Sequence, residues 1–188
     1  MLIKSINLPN VTRVVHNFLY NNERLTSLSL PKVTRVWSHF LYHNKVLTHL
    51  TAPKLTAAGD DFLRRNLALM TLSLPKLTHV GDWFLDNNQR IHTVDLPKLT
   101  QAGTGFLYRN QDLTTLDLPR LTRVGHNFLY WNRNLAILTV PKLTEVGRCF
   151  LYYNERPLTL ALPESAEAEV GKGFRYAHGG LLFTLYLS

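Results

Sequence analysis

The chain has 188 residues, of which 45% are hydrophobic and 11% aromatic, so it is long enough to form one domain around a continuous core. Lys and Arg outnumber Asp and Glu by 21 to 13, and the net charge of +8 is compatible with an acidic partner without requiring one. A single cysteine, Cys149, excludes an internal disulfide, while the sequence predicts neither a signal peptide nor a membrane-spanning helix.

A period of 22 residues runs through almost the whole chain. Eight of the nine prolines lie on it, at positions 9, 31, 53, 75, 97, 119, 141 and 163. Seven phenylalanines from Phe18 to Phe150 follow the same period, and Phe174 comes two residues late. Such self-similarity is typical of a solenoid of stacked repeats. We therefore predict one domain of eight units over residues 1–188, with the regular repeats over residues 3–162 and a degenerate C-terminal repeat or cap over residues 163–188.

Each unit begins with a short L-x-x-L-x-L segment, such as Leu69, Leu72 and Leu74. Its last three residues alternate between apolar and polar, which predicts a short strand with one inward face. The proline that follows ends the strand, because it has no N–H donor and a fixed φ. Stacking of the units predicts a parallel sheet.

A corner of the form P-K-L-T-x-V-G follows, as at residues 75–81, with Leu77 and Val80 predicted to point into the core. We expect its glycine to take the positive φ that a tight corner needs. This glycine stands at positions 59, 81, 103, 125, 147 and 171. Val15 and Trp37 replace it in the first two units, so positive φ is not expected there.

The rest of each unit, such as residues 82–88, places Val80, Phe84 and Leu85 at the spacing of one short helical turn packed against the core. An asparagine follows at positions 22, 44, 66, 88, 110, 132 and 154. It either ends the helix in the left-handed region or hydrogen-bonds to the backbone of the adjacent coil. The predicted fold class is an α/β repeat solenoid, with a parallel sheet on the concave face and short helices or turns on the convex face.

The pattern L-x-x-L-x-L-P-K-L-T-x-V-G-x-x-F-L-x-x-N resembles the BspA-like leucine-rich repeats over residues 3–162. It departs from them where that family has cysteine, which is asparagine here, and at the alanine before phenylalanine, which varies here (Asn17, His39, Trp83, Cys149). The resemblance implies a binding protein without catalytic residues. It also implies a bacterial protein at the cell surface or secreted, and some similar proteins resemble type III effectors delivered into host cells.

The two ends of the repeat array lead to separate expectations. Ile3, Ile6 and Leu8 already form a repeat strand, so no N-terminal cap is visible, and this predicts either a fragment of a longer protein or an end that packs on a second subunit. Residues 163–171 are two residues longer than their counterparts and contain three glutamates. We interpret this stretch as a solvated cap in preference to an acidic partner site.

Function is expected in the variable surface positions, because the repeated core positions are structural. On the strands these positions are mostly small and polar, and His49, Asp95 and Asp117 are the most distinctive of them. They form either a generic sheet surface or a surface that contacts a partner's backbone and side chains.

A ladder of basic residues follows the strands, consisting of Lys32, Lys54, Lys76, Lys98, Arg120 and Lys142. Neighbours about 5 Å apart repel by about 1 kcal/mol in water, so these side chains can simply splay into solvent. The alternative is a stripe that recognises an acidic protein, an anionic glycan, a membrane headgroup or nucleic acid.

Tyrosines form a separate column about half a repeat away, at Tyr20, Tyr42, Tyr108, Tyr130, Tyr152 and Tyr176. We predict that the rings lie on the core with their hydroxyls in water. Nucleic-acid binding is disfavoured, because lysine and tyrosine should face different directions. Tyr108 and Tyr130, beside Trp131, are a second candidate protein-binding surface.

Catalytic and metal-binding patterns are weak. His39 and His43 would align on a helical face, but they have no third ligand, and Cys149 has no histidine partner in the repeat. No P-loop, dinucleotide fingerprint, nucleophile elbow or HExxH motif is present. The sequence therefore predicts no enzyme, no cofactor and no metal site.

We expect a non-enzymatic protein-interaction module that binds through the concave sheet and the adjacent basic edge. A basic scaffold for polyanions and a targeting fragment of a larger effector are the alternatives. The sequence identifies neither the partner nor the cellular location.

Overall fold

The computed structural model describes residues 3–163 and 183–187, which form a solenoid of short parallel strands. Its strands, numbered in chain order, belong to two rows. The first row occupies the predicted strand segments and comprises β1 (Ser5–Asn7), β2 (Ser27–Ser29), β4 (His49–Thr51), β6 (Thr71–Ser73), β8 (Thr93–Asp95), β10 (Thr115–Asp117), β12 (Ile137–Thr139), β14 (Leu158–Leu162) and β15 (Phe183–Leu187).

The second row lies in the T-x-V part of each unit, which the sequence analysis assigned to a corner. It comprises β3 (Arg35–Val36), β5 (Ala57–Ala58), β7 (His79–Val80), β9 (Gln101–Ala102), β11 (Arg123–Val124) and β13 (Glu145–Val146). The side chain of the second residue in each pair points inward, as for Val36 and Val80, and the first is turned to solvent. Each turn from the second to the seventh thus contributes two short strands, while the first contributes β1 alone.

Successive turns stack in register. Thr71 pairs with Thr93 and Val80 with Ala102, each 22 residues further along the chain. The second row forms one unbroken sheet from β3 to β13. The first row is divided into the hydrogen-bonded groups β1-β2-β4, β6-β8 and β10-β12-β14-β15. Among the described residues no backbone hydrogen bond joins β4 to β6 or β8 to β10.

Phenylalanines from successive turns stack through the middle of the solenoid, as the period predicts. Ring centroids from Phe18 to Phe150 are 5.2 to 5.9 Å apart, and the planes of neighbouring rings lie within 9°. Leucines such as Leu63, Leu74 and Leu77 surround them and are fully buried. Each such side chain contributes about 1.5–3 kcal/mol through the hydrophobic effect, and only the adjacent turns provide its cover.

A second buried column consists of asparagines, and it confirms one of the two predicted roles. The side-chain amide of Asn88 donates to the carbonyl of Leu63 in the preceding turn at 2.9 Å, and its Oδ1 accepts the backbone N–H of Asn66 at 3.1 Å. The same bonds recur at Asn110, Asn132 and Asn154. The Oδ1 of Asn66 accepts no hydrogen bond from the described residues.

The predicted short helices were wrong, since residues 3–163 contain none. Three alternate residues in each turn have positive φ, as at Trp83 (58°), Leu85 (55°) and Asn87 (57°), and the residues between them do not. A helix requires consecutive right-handed residues, so this alternation excludes one. The N–H groups bond between turns instead: those of Trp83 and Asn87 donate to the following turn and that of Leu85 to the preceding turn.

The interpretation of the corner glycines was also wrong. Gly105 alone among the described glycines has positive φ, and it does not belong to the predicted column. A Cβ on Gly103 would lie 2.6 Å from the carbonyl carbon of Gly81, and one on Gly147 would lie 2.4 Å from that of Gly125. These positions are glycine because the backbones of adjacent turns approach too closely for a side chain.

Seven turns are described, and most of the predicted eighth unit, with Gly171, Phe174, Tyr176 and the predicted cap, lies outside the described residues. β15 pairs in parallel with β14, matching Leu158 to Phe183. No part of the described chain forms a helix with the length and apolarity needed to cross a bilayer.

Candidate functional site

The lysine ladder, Lys32 to Lys142, lies next to the first row of strands, and all six of its side chains are exposed. None of them forms an ion pair with another described residue. The ammonium of Lys32 donates to Oδ1 of Asn10 at 3.0 Å. The ladder is therefore a solvated row of cations that is open to an anionic or polar partner.

The outward side of the first row, here called the strand face, has two depressions. The first has a volume of about 390 Å³ and lies between β4 and β6, lined in part by His49, Thr71 and Ser73. The second, of about 250 Å³, lies between β8 and β10 and is lined in part by Asp95 and Asp117. Both depressions coincide with the places where the strands are not joined by backbone hydrogen bonds. Local separation of the strands therefore gives the otherwise regular face two distinct sites.

Asp95 and Asp117, predicted from the sequence as candidate residues, lie on adjacent turns and line the same depression. The hydroxyl of Ser73 donates to Oδ2 of Asp95 at 2.6 Å, which orients this carboxylate. No basic side chain forms an ion pair with either aspartate among the described residues. Two carboxylates that share an open depression can accept hydrogen bonds from an inserted Lys or Arg side chain of a partner.

His49 is exposed at the first depression, where its Nδ1 lies 2.8 Å from the hydroxyl of Thr48. Ile137, at the equivalent position four turns later, is 46% exposed. The strand face therefore combines hydroxyl, imidazole and carboxylate groups with the aliphatic side chain of Ile137.

Tyrosines form a separate surface, which we call the aromatic edge and define by the column from Tyr20 to Tyr152 with the adjoining Trp83, Trp131 and Tyr153. The rings stack on each other, with centroids 4.9 Å apart for Tyr20 and Tyr42 and 4.8 Å apart for Tyr108 and Tyr130. Burial and the neighbouring phenols raise the pKa of Tyr130 to about 12, so its hydroxyl stays protonated at physiological pH.

Arg64 and Asp86 interrupt the tyrosine column in the middle. The Nε of Arg64 lies 2.5 Å from Oδ2 of Asp86, and its Nη1 lies 2.8 Å from Oδ1 of Asp61. The guanidinium also lies 5.1 Å from the centre of the Trp83 ring. Burial raises the pKa of Asp86, an effect that the Arg64 charge opposes. This cluster joins two adjacent turns and is a structural ion-pair network.

Arginines are interleaved with the aromatic rings, which the sequence analysis missed because it compared tyrosines with lysines alone. Arg109 lies 5.0 Å from the centre of the Tyr108 ring and 4.8 Å from that of Trp131, and Arg133 lies 5.4 Å from that of Trp131. The signal was present, since Arg65, Arg109 and Trp131 are spaced by 44 and 22 residues. Tyr, Trp and Arg are the residues that most often dominate binding energy at protein interfaces.

The two histidines considered as metal ligands contact different groups. His39 Nε2 lies 3.2 Å from Asp61, and His43 Nδ1 lies 2.9 Å from Oδ1 of Asn21. The helical face that would have aligned them does not form. Within residues 3–163, no three His, Cys, Asp or Glu side chains converge in a way that could hold a metal ion. Cys149 is partly buried and has a free thiol.

Comparison with known proteins agrees with this repeat architecture. The family model described as BspA type leucine-rich repeat region matches in six copies, over residues 1–70 and 63–159. A crystal structure of a leucine-rich repeat protein of T. pallidum is similar at 19% identity with a TM-score of 0.78, covering 96% of this chain and 87% of that chain.

A leucine-rich repeat protein from Bacteroides ovatus is also similar, at 14% identity with a TM-score of 0.52, covering 97% of this chain and 66% of that chain. At these identities the two structures show a common fold alone. No curated protein sequence matches the chain.

Proposed function

Because this chain belongs to the BspA-type leucine-rich repeat family, we propose that it is a non-enzymatic scaffold whose protein partner binds to the strand face. Leucine-rich repeats generally serve as protein-interaction scaffolds. The observation that carries the choice of surface is the pair of depressions between β4 and β6 and between β8 and β10. They hold three of the distinctive strand residues, His49, Asp95 and Asp117.

The chemistry of the depressions defines the partner we expect. Asp95 and Asp117 favour a basic side chain in the second depression, while the lysine ladder beside the strand face favours acidic groups at the periphery of the contact. A partner with an exposed Lys or Arg surrounded by carboxylates satisfies both. The family resemblance further suggests that the partner belongs to another cell or a host, and this element of the proposal rests on the resemblance alone.

Crosslinking combined with charge removal tests the strand face. A photoreactive amino acid at Thr93, beside the second depression, should crosslink to one protein when the chain is incubated with extract from the cells it contacts. The double variant Asp95→Asn and Asp117→Asn should reduce the yield about tenfold, because it removes the two negative charges that pair with the basic side chain.

The matched control is Glu23→Gln with Asp112→Asn, which removes two exposed carboxylates outside the strand face. This control should leave the crosslinking yield unchanged. Equal losses in the two double variants, or crosslinking from Arg148 in place of Thr93, would exclude the strand face as the site of contact.

Polyanion binding is a second candidate function, and the unpaired lysine ladder is the observation that favours it. Reversal of Lys54, Lys76 and Lys98 to glutamate should abolish retention on heparin, while a protein contact centred on the second depression should persist in part. The salt dependence separates the two cases, since release of several counterions makes polyanion affinity fall steeply with ionic strength.

A further inference from the structure

Positive charge is concentrated in the first turns of the solenoid. Residues 1–59 contain seven Lys and Arg residues and a single acidic residue, Glu23, so they carry a charge of +6 out of the total +8. The remaining turns are almost neutral. The electrostatic potential is therefore most favourable to anions at this end of the chain.

An open cavity of about 540 Å³ lies on the outer surface of these turns. It is lined by Thr12, Arg13, Lys32, Thr34, Arg35 and Trp37. All six residues are exposed, and none of them is acidic. Three cationic side chains from adjacent turns thus surround one volume without a carboxylate to compensate them.

The hydroxyl of Thr34 distinguishes this cavity from the same position in later turns. The hydroxyls of the equivalent threonines donate to the carbonyl of the preceding turn, as Thr56 does to Thr34 at 2.9 Å and Thr78 does to Thr56 at 3.0 Å. The same bond recurs at Thr100, Thr122 and Thr144. The hydroxyl of Thr34 donates to no described residue, so it can donate to a group in the cavity.

Neighbouring side chains orient the cations. Trp37 occupies the position that is glycine in turns three to seven; the guanidinium of Arg35 lies 6.0 Å from the centre of its ring, and His16 packs on the ring at 5.5 Å. The ammonium of Lys32 bonds to Asn10 at 3.0 Å. The tryptophan at this position therefore lines one side of the cavity and orients the side chain of Arg35.

We propose that this cavity is a binding site for a phosphate monoester group. Its polar side chains, Arg13, Lys32, Arg35 and the Thr34 hydroxyl, can all donate hydrogen bonds, and a phosphate monoester offers three acceptor oxygens with a charge close to −2 at neutral pH. Guanidinium groups bind such oxygens in pairs. The repulsion among the three cations is relieved when the dianion binds.

The equivalent columns four turns later provide a matched control. Arg123 occupies the column of Arg35, and Arg120 that of Lys32, but the Nε of Arg123 lies 2.7 Å from Oε2 of Glu145. That carboxylate competes for the guanidinium. Arg120 and Arg123 therefore carry the same charge as Lys32 and Arg35, but a carboxylate compensates part of it.

Calorimetric titration of the full chain with phenyl phosphate tests the site. We expect one saturable site in the unmodified protein and a loss of affinity of about tenfold or more in Arg13→Gln with Arg35→Gln, because charge-assisted hydrogen bonds are removed. The control Arg120→Gln with Arg123→Gln should change the affinity less than about twofold. Absence of saturable binding, or equal losses in both double variants, overturns the proposal. Circular dichroism verifies that each variant is folded.

Two further arms define the ligand. Phenyl sulfate, with a single negative charge, should bind several-fold more weakly than phenyl phosphate, and equal binding overturns the assignment to a phosphate monoester. The protein is also sedimented with phosphatidylcholine vesicles that contain phosphatidate. Co-sedimentation that is lost in Arg13→Gln with Arg35→Gln identifies a lipid headgroup as the source of the phosphate monoester. Binding of phenyl phosphate without sedimentation supports a soluble ester at the same site.

Discussion

The buried asparagines join adjacent turns through their side chains. Asn88 donates to Leu63 of one turn and accepts from Asn66, and its own N–H donates to Oδ1 of Asn110 in the next turn. Its side chain is fully buried, so no water can replace these bonds. One side-chain amide thereby forms hydrogen bonds with a backbone carbonyl and a backbone N–H that have no partner among the described residues of their own turn.

Replacement of Asn88 by alanine should lower the free energy of unfolding by about 2–4 kcal/mol, because the carbonyl of Leu63 and the N–H of Asn66 lose buried partners. Urea denaturation monitored by circular dichroism measures the change. Gln89→Ala is the control, since Gln89 is exposed and should alter stability by less than about 0.5 kcal/mol. Similar values for the two variants would contradict the role assigned to Asn88.

Single residues differ in how far the sequence predicts them. The alternating pattern predicts that Asp95 and Asp117 face outward, because a side chain next to a buried strand residue must lie on the opposite face. The ion pairs of Arg64 with Asp61 and Asp86 were not predicted. These ion pairs depend on how the outer segment of one turn packs against that of the next turn. The repeat period does not predict this packing.

The outer segment of each turn owes its conformation to hydrogen bonds between turns. Leu85, Arg65 and Cys149 have positive φ, although left-handed geometry costs such residues about 1–2 kcal/mol. Local propensity therefore predicts a right-handed helical turn here, and the spacing of Val80, Phe84 and Leu85 fits one. The ladder of N–H groups that bond alternately to both neighbouring turns outweighs that preference.

Arg65 provides a test of this conformation, because it is exposed and has a φ of 61°. Arg65→Gly should preserve or raise stability by up to about 1 kcal/mol, and Arg65→Val should lower it by about 1–2 kcal/mol, because a β-branched residue is strained in the left-handed region. Thermal unfolding gives both values. At Gln101, an exposed strand residue, the valine variant should be more stable than the glycine variant, which is the opposite of the order at Arg65. The same order at both sites would rule out backbone conformation as the cause.

At the scale of the whole molecule, the stacked architecture of the described turns could be predicted from the period, because stacking of equivalent turns places Phe62, Phe84 and Phe106 against one another. The two interruptions of the first row were not predictable. Thr71 and Thr93 occupy equivalent positions, yet β6 pairs with β8 and not with β4. The repeat units on the two sides of each interruption follow the same pattern, so the period contains no signal for it.

Removal of one complete period should preserve the architecture. Deletion of residues 78–99 joins Leu77 to Thr100, which is equivalent to Thr78, so every column continues in register. We expect an unchanged circular dichroism signature per residue and a lower urea midpoint, since one set of interfaces between turns is lost. Deletion of residues 78–88 shifts the columns by half a period and should abolish cooperative unfolding. Equivalent behaviour of the two deletions would show that register is not what stabilises the fold.

The alternating direction of the outer N–H groups determines how the protein loosens. An interior turn, such as the one with Trp83, Leu85 and Asn87, forms backbone hydrogen bonds with both neighbouring turns. Unfolding it breaks hydrogen bonds to two neighbours, whereas unfolding a terminal turn breaks hydrogen bonds to one. Local unfolding should consequently begin at the outermost turns and proceed toward the middle of the solenoid. Solvent-accessible fluctuations are then smallest around Phe84, which lies in the middle of the stack, and this central stretch is the last to melt.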